Sequence, residues 1–259
     1  PAIKQLEDAG YDGAYSFEGA HDPFLPLVAA ATNTSRIELI TSIAVAFARN
    51  PMTLANIGYD LNLVSKGRFI LGLGSQIKPH ITKRFSMPWS HPAARMKEMV
   101  EAINAIWDCW QNGTKLNYRG KFYTHTLMTP FFNPGPNPYG LPKIYVAAVG
   151  PLMTQAVSES ADGLLAHPFN SPKYINDVTL PIIHKGLETT GKTKDQFDLS
   201  VSVMTGIGAT EETHQQAVKA CREQVAFYAS TPNYKAVLET HGLGHLSEEL
   251  NKLSKQGQW

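Results

Sequence analysis

The chain contains 259 residues, and its 23 Lys plus Arg against 22 Asp plus Glu give a formal net charge of +1. Such a balance offers no broad electrostatic field, so we expect neither nucleic acid nor a membrane surface as a partner. The hydrophobic fraction of 43% is that of a globular protein. The cysteines, Cys109 and Cys221, are far apart, which favours a reducing, cytoplasmic setting and predicts no metal site. The longest apolar run, 37–47, is too short to span a bilayer.

Apolar strand patterns alternate with amphipathic helix patterns along most of the chain. Pro51, Pro92 and Pro151 stand where a first-turn proline belongs, and each is followed by a helical apolar periodicity. Helices are predicted at 26–32, 51–64, 92–110, 151–161 and 173–190, and from 211 onward. Strands are predicted at 13–18, 36–47, 68–74, 143–149, 163–167 and 199–207.

The segment from about 112 to 141 interrupts this alternation. It carries alternating aromatic residues around Arg119 and Gly120, followed by a stretch rich in proline and glycine. This composition is typical of a hairpin and an exposed loop, so we interpret the segment as an insertion.

The strands are almost continuously apolar, which indicates a parallel sheet covered by helices. The chain is therefore predicted to be an α/β protein, either an α/β barrel or a doubly wound sheet, in a single domain over 1–259. Six strands are two fewer than a TIM (β/α)8 barrel contains. Because the pattern begins and ends within helices, we expect a barrel here to lack its first and last strands.

In parallel α/β proteins the ligand lies at the carboxyl ends of the strands. Glu18 and His21 follow the first predicted strand, and a carboxylate with an imidazole can bind or protonate a substrate. Both could equally be solvated residues of the loop. The neighbouring Asp22 is expected to cap the helix that follows.

The third predicted strand ends in the sequence GLGSQIKPH. It lacks the complete glycine fingerprint of a dinucleotide site, so a dinucleotide fold is disfavoured. Its glycines nevertheless allow close approach to a flat ring or a phosphate, and Gln76 and His80 offer donors. The alternative is a tight turn with solvated polar residues.

A strand that ends at Val149, followed by Gly150 and Pro151, exposes backbone N–H groups at a helix N-terminus, which is a seat for phosphate. An ordinary strand-to-helix turn is the alternative. His167 ends the next strand and either completes the seat or is a capped surface histidine. The sequence contains no motif typical of a hydrolase, a phosphotransferase or a divalent-metal site.

Several phrases in this order resemble the luciferase-like monooxygenase superfamily, specifically its branch that uses the deazaflavin coenzyme F-420. The phrases are FEGAHDPFLPLVAAATNTSRIELITSIAVAFARNP, SKGRFILGLGSQ, RMKEMVEAINAIW, GKFY, PKIYVAAVGP and ADGLLAHPF. The resemblance extends from about Gly10 to at least Gly208. It implies an eight-stranded TIM barrel with an insertion region, and a non-proline cis peptide at Ser42–Ile43 that backs the cofactor ring.

The resemblance also implies roles for individual residues. Glu18 and His21 correspond to residues that contact the substrate or assist proton transfer. The loop that contacts the cofactor ring or its ribityl chain corresponds to Gly74, Ser75, Gln76 and His80. The phosphate loop corresponds to Val149, Gly150, Pro151 and Leu152. Related sugar-phosphate dehydrogenases carry a glutamate at the position of Ser75, so their proton chemistry is not transferred to this chain.

The implied activity is hydride transfer between coenzyme F-420 and a small organic substrate. An FMN-dependent monooxygenase on the same barrel is the alternative, since both cofactors share the ring and phosphate sites. A non-catalytic barrel relative is an alternative of another class. The resemblance further suggests a homodimer or higher homo-oligomer.

Overall fold

The computed structural model describes residues 2–258. The strands are β1 (Gly13–Ser16), β2 (Glu38–Thr41), β3 (Ala44–Val45), β4 (Phe69–Gly74), β5 (Tyr118–Arg119), β6 (Thr124–His125), β7 (Lys143–Ala148), β8 (Gly163–Ala166) and β9 (Asp198–Val201). The α-helices are α1 (Ala2–Asp8), α2 (Leu25–Asn33), α3 (Pro51–Val64), α4 (Pro92–Asn112), α5 (Pro151–Ser160), α6 (Pro172–Tyr174), α7 (Leu180–Thr190), α8 (Glu211–Ala229), α9 (Lys235–Thr240) and α10 (Leu246–Lys255). Among the described residues, no helix combines the length and the apolarity needed to cross a membrane.

The main sheet is parallel, with the strand order β1-β2-β4-β7-β8-β9 and with β3 also paired to β4. Neighbours in the sheet are therefore neighbours along the chain. In a doubly wound sheet the strand order reverses at a switch point. This sheet has no such reversal among the described strands, so its strand order is that of a barrel. Strands β1 and β9 stand at opposite ends and do not pair with each other within residues 2–258, so the sheet forms a half-barrel.

The core lies between the sheet and its covering helices. Leu39, Leu71 and Val146 project from β2, β4 and β7 and are fully buried there. From α4, Trp107 is fully buried, and its indole N–H donates to the carbonyl of Ala55 in α3 (3.0 Å). Each such side chain contributes about 1.5–3 kcal/mol by burial, and this core fixes the sheet relative to the helices.

All six predicted strands occur, but two of the predicted ranges are wrong. The range 36–47 contains β2 and β3, separated by a cis peptide bond between Ser42 and Ile43, which the resemblance implied. The range 199–207 keeps its strand only to Val201. Beyond it the chain turns onto α8, where a Cβ on Gly208 would stand 2.1 Å from the amide nitrogen of His214.

The predicted insertion contains the antiparallel hairpin β5–β6. The Glu98 carboxylate on α4 accepts from the backbone N–H groups of Lys121 (2.9 Å) and Phe122 (2.8 Å). The loop beyond the hairpin is attached to α3, since the Tyr59 hydroxyl donates to the carbonyl of Gly135 (2.8 Å). The insertion therefore packs on the outer helices α3 and α4.

Candidate active site

Because the strands of the main sheet are parallel, their carboxyl ends meet along one edge. The predicted site residues follow the strands at this edge. They are Glu18 and His21 after β1, Ser42 and Ile43 after β2, Gly74, Ser75, Gln76 and His80 at the end of β4 and beyond it, Val149, Gly150, Pro151 and Leu152 after β7, and His167 after β8.

Glu18 makes the densest polar contacts at this edge. Its carboxylate Oε2 accepts from the Val45 backbone N–H (2.7 Å) and from Arg49 Nη1 (2.6 Å). The Glu18 side chain is only 7% exposed, and that of Arg49 is 21% exposed. Arg49 Nη2 also donates to Asp22 (3.2 Å), so one guanidinium serves two carboxylates.

Asp22 caps the start of α2, as the sequence predicts. Its Oδ1 accepts from the backbone N–H groups of Phe24 (2.8 Å) and Leu25 (3.4 Å). The carboxylate thus satisfies helix N–H groups that have no partner inside the helix. His21, one residue earlier, is exposed. Its imidazole is accessible to a ligand at the edge.

Ile43 follows the cis peptide bond and contacts the inner face of the sheet. A Cβ on Gly74 would stand 2.7 Å from Ile43 Cγ1, so glycine there makes room for the Ile43 side chain against β4. Ile43 packs both against the main core and against a second apolar cluster on the inner face, formed by Ile70, Tyr145 and Leu165. The inner face therefore offers an apolar wall at the end of β2.

The residues after β4 form a turn. The Ser75 hydroxyl donates to the carbonyl of Gln76 (3.1 Å), and Gln76 has a φ of +57°. The Gln76 side chain accepts from the Ile77 N–H (3.0 Å), and His80 is exposed. Locally this is the tight turn of the alternative interpretation. Further along the loop, Arg84 donates to the carbonyl of Gly19 (2.8 Å), which links the loops after β4 and β1.

Helix α5 begins as the sequence predicts, with Gly150 at its N-cap and Pro151 at its first position. No side chain of the described residues caps this end. Apart from its chain neighbours, Gly150 has no described heavy atom within 4 Å of the place where a Cβ would stand. Leu152 is 77% exposed, so the N-terminus of α5 faces open space.

His167 is half-buried. Its ring lies 4.5 Å from those of Tyr228 and Tyr234, and it belongs with Phe169 to an aromatic cluster. The His167 Nδ1 accepts from the Phe169 N–H (3.0 Å), and its Nε2 lies 3.1 Å from the Tyr234 hydroxyl. Burial lowers the pKa of His167 to about 4, so the ring is neutral at pH 7. Val149 packs against this cluster, so the aromatic cluster lies beside the start of α5.

Two residues of the edge were not predicted from the sequence. Arg49 follows the strand pattern at 36–47, where it resembles an ordinary loop cation. Tyr234 is separated from His167 by 67 residues. No local spacing connects either residue to its partner, and only the fold brings each pair together.

The parallel half-barrel is the type of sheet found in α/β barrels. Its polar loops gather at the carboxyl edge of the strands, where such proteins carry their active sites. The sequence model of one family, described as luciferase-like monooxygenase, matches residues 2–259. The chain belongs to the luciferase-like monooxygenase family.

Two relatives illustrate its position in the family. A Mycobacterium tuberculosis protein whose name assigns no activity is 55% identical over 258 residues, which cover 100% of this chain and 76% of that protein. The 5,10-methylenetetrahydromethanopterin reductase of Archaeoglobus fulgidus is 29% identical over 99% of this chain and 75% of its own length.

Solved structures share the fold. The coenzyme F-420 dependent tetrahydromethanopterin reductase of Methanopyrus kandleri has a TM-score of 0.76 and 22% identity over 99% of this chain and 76% of its own. The FMN-bound oxygenating constituent of 3,6-diketocamphane monooxygenase from Pseudomonas putida has a TM-score of 0.71 and 15% identity over 98% of this chain and 76% of its own. The same architecture therefore occurs in proteins that use either cofactor.

Proposed function

We propose that this protein is an oxidoreductase that transfers hydride between the deazaflavin coenzyme F-420 and a small organic substrate. The proposal takes the half-barrel as part of an eight-stranded TIM barrel whose carboxyl edge binds the cofactor. The observation that carries it is the open, uncapped N-terminus of α5 at that edge, in a chain of this family. The Archaeoglobus fulgidus reductase favours the deazaflavin among the family's cofactors.

The start of α5 fits a phosphate group. Pro151 has no N–H, and the first bond inside the helix runs from the Thr154 N–H to the carbonyl of Gly150 (3.0 Å). The N–H groups of Leu152 and Met153 precede that bond, and within residues 2–258 no acceptor binds them. Together with the helix dipole they favour an anion, and the open space at Gly150 admits one.

The inner face next to this helix fits a flat ring. Ile43 supplies an apolar wall, and Gly74 allows the wall to lie close to β4. Gln76 and His80 follow β4, and we assign their side chains to donate to ring or ribityl oxygens. When bound, coenzyme F-420 supplies a carbon centre that gives or takes hydride and does not readily activate O₂.

On the substrate side, we assign His21 to contact with the substrate or to proton transfer. Its imidazole is exposed, and its two ring nitrogens can donate to or accept from a substrate. Glu18, the second candidate, is nearly buried, and one of its oxygens already accepts two hydrogen bonds. Orientation of the substrate at this edge is the main contribution that the protein makes to the rate.

An FMN-dependent monooxygenase is the second candidate, favoured by the shared fold with the FMN-bound enzyme of Pseudomonas putida. Titration of the protein with coenzyme F-420 and with FMN, followed by absorbance, separates the two. We expect saturable binding of F-420 and weaker binding of FMN. Tight FMN binding without F-420 binding would reverse the assignment, and binding of neither would favour a non-catalytic relative.

The phosphate seat is tested by placing a negative charge at the start of α5. Leu152→Asp should weaken F-420 binding by roughly tenfold or more, because a carboxylate there competes with the phosphate for the same N–H groups. Leu127→Asp is the matched control, since Leu127 is 76% exposed and Leu152 is 77% exposed. Equal affinities of the two variants would place the phosphate elsewhere. Bleaching or recovery of the deazaflavin band with alcohols, enones and imines then identifies the substrate class.

A further inference from the structure

The backbone between β2 and β3 forms the wall at which the proposed function places the cofactor ring. Few contacts within the sheet hold this segment. The Ser42 N–H donates to the carbonyl of Ser16 (2.8 Å), and β3 pairs with β4 through only two residues, Ala44 and Val45. A rigid wall therefore requires further hydrogen bonds, from outside β3 and β4, that fix the position of Ile43.

Glu18 contacts this segment at two points, at Ile43 itself and at Val45. Its backbone N–H donates to the carbonyl of Ile43 (3.0 Å), and its carboxylate accepts from the N–H of Val45 (2.7 Å). One residue at the end of β1 therefore binds two backbone groups that are two residues apart. The short segment cannot shift without breaking at least one of these bonds.

Arg49 completes the arrangement from the other side. Its Nη1 donates both to Glu18 Oε2 (2.6 Å) and to the carbonyl of Val45 (3.1 Å). Val45 is thus held at its N–H by Glu18 and at its carbonyl by Arg49. Arg49 is itself fixed by Asp22 (3.2 Å) and lies 5.4 Å from the centroid of the Phe24 ring.

The burial of this pair makes the contacts strong. The side chains of Glu18 and Arg49 are 7% and 21% exposed, so water competes little for their hydrogen bonds. Charge-assisted bonds of this kind are stronger than those between neutral groups. If Arg49 is removed, the buried Glu18 carboxylate loses its charged partner, whereas removal of Glu18 leaves Arg49 paired with Asp22.

We infer that Glu18 and Arg49 act as positioning residues, a clamp that holds residues 42–45 against the sheet, and that Glu18 does not transfer protons in the reaction. The inference rests on the proposed function for the identity of the ring, but the clamp itself concerns only this chain. Proton transfer at the substrate is then left to His21.

The clamp is tested first without any cofactor, by hydrogen–deuterium exchange of the full chain. Glu18→Ala and Arg49→Met should each accelerate exchange in the peptide covering 42–48 by on the order of tenfold, because each leaves a backbone group of Val45 without its partner. Glu38→Ala is the matched control, since that carboxylate is exposed at the start of β2. Unchanged exchange in both clamp variants would overturn the inference, whether or not the protein binds F-420.

The role in catalysis is tested by Glu18→Gln, whose amide oxygen can still accept from the Val45 N–H. We expect this variant to keep slow exchange at 42–48 and both limbs of the wild-type pH–rate profile. Glu18→Ala should instead weaken F-420 binding about tenfold, as the exchange data predict. Loss of one limb in Glu18→Gln, with exchange unchanged, would identify Glu18 as a proton-transfer group and refute the inference. A wild-type chain that binds no F-420 would refute the proposed function alone.

Discussion

Acidification from pH 7 to pH 4 should loosen the contact between the end of β8 and the C-terminal helices, because His167 must then take up a proton. Its Nδ1 already accepts from the Phe169 N–H (3.0 Å), so the neutral ring carries its proton on Nε2, facing the Tyr234 hydroxyl. A proton on Nδ1 would oppose the Phe169 N–H and break that bond. The pKa of His167, lowered by burial to about 4 from 6.5, reflects this environment.

The magnitude follows from the difference between the folded and unfolded pKa values. For a fully buried group, a gap of about 2.5 pH units corresponds to about 3.4 kcal/mol. The ring is only partly buried, so solvent screening reduces the expected effect to about 1–2 kcal/mol. Because the folded pKa lies below the unfolded one, the stabilisation is complete above pH 6.5 and is lost as the pH falls toward 4.

Urea unfolding followed by tryptophan fluorescence at pH 7, 5.5 and 4 measures this loss. His167→Gln is the comparison, because its amide oxygen can accept from the Phe169 N–H and does not titrate. We expect the wild type to lose about 1–2 kcal/mol more than His167→Gln over this range. Equal losses in the two proteins, or an imidazole NMR titration of His167 near pH 6.5, would refute the reasoning.

Three further predictions concern the scaffold. Glu7→Gln should remove a stability loss between pH 4.5 and 2, because backbone N–H groups lower the pKa of the Glu7 carboxylate to about 2; an acid titration followed by circular dichroism with an unchanged midpoint would contradict this. Gly72→Ala should destabilise the protein by more than about 3 kcal/mol in urea unfolding, since the Cβ would stand 1.6 Å from the Thr41 carbonyl oxygen. Gly13→Ala is the control and should be tolerated, because the nearest atom to its Cβ would be 3.8 Å away. Glu98→Ala should expose β5–β6 to limited proteolysis and leave the core intact; a cleavage pattern like that of the wild type would refute the role of Glu98.

A strand such as β4 was predictable because all six of its residues are buried, which leaves a continuous apolar run. The errors at 36–47 and 199–207 have the opposite cause, since apolar residues continue there past the end of a strand. Only Thr41 and Ser42 interrupt the apolar residues between β2 and β3, and so short a polar stretch does not reveal the break. Near Val203, which is 74% exposed, apolar side chains continue although the strand has ended.

Only those residues of the candidate site that lie close to the end of a strand could be predicted from the sequence. Glu18 and Gly150 could be placed at the edge because each directly follows a strand. Their partners could not be, since Arg49 reaches Glu18 from 31 residues away and Tyr234 reaches His167 from 67. Such contacts depend on how the helices pack, and no local sequence pattern encodes them. The cis peptide at Ser42–Ile43 was implied by family resemblance alone.

The most direct test of the proposed function is a crystal structure of the protein with coenzyme F-420. The account predicts a phosphate oxygen within hydrogen-bond distance of the N–H of Leu152 or Met153, and the deazaflavin ring against Ile43. A phosphate bound away from the start of α5, or a ring outside the carboxyl edge of the sheet, would contradict it.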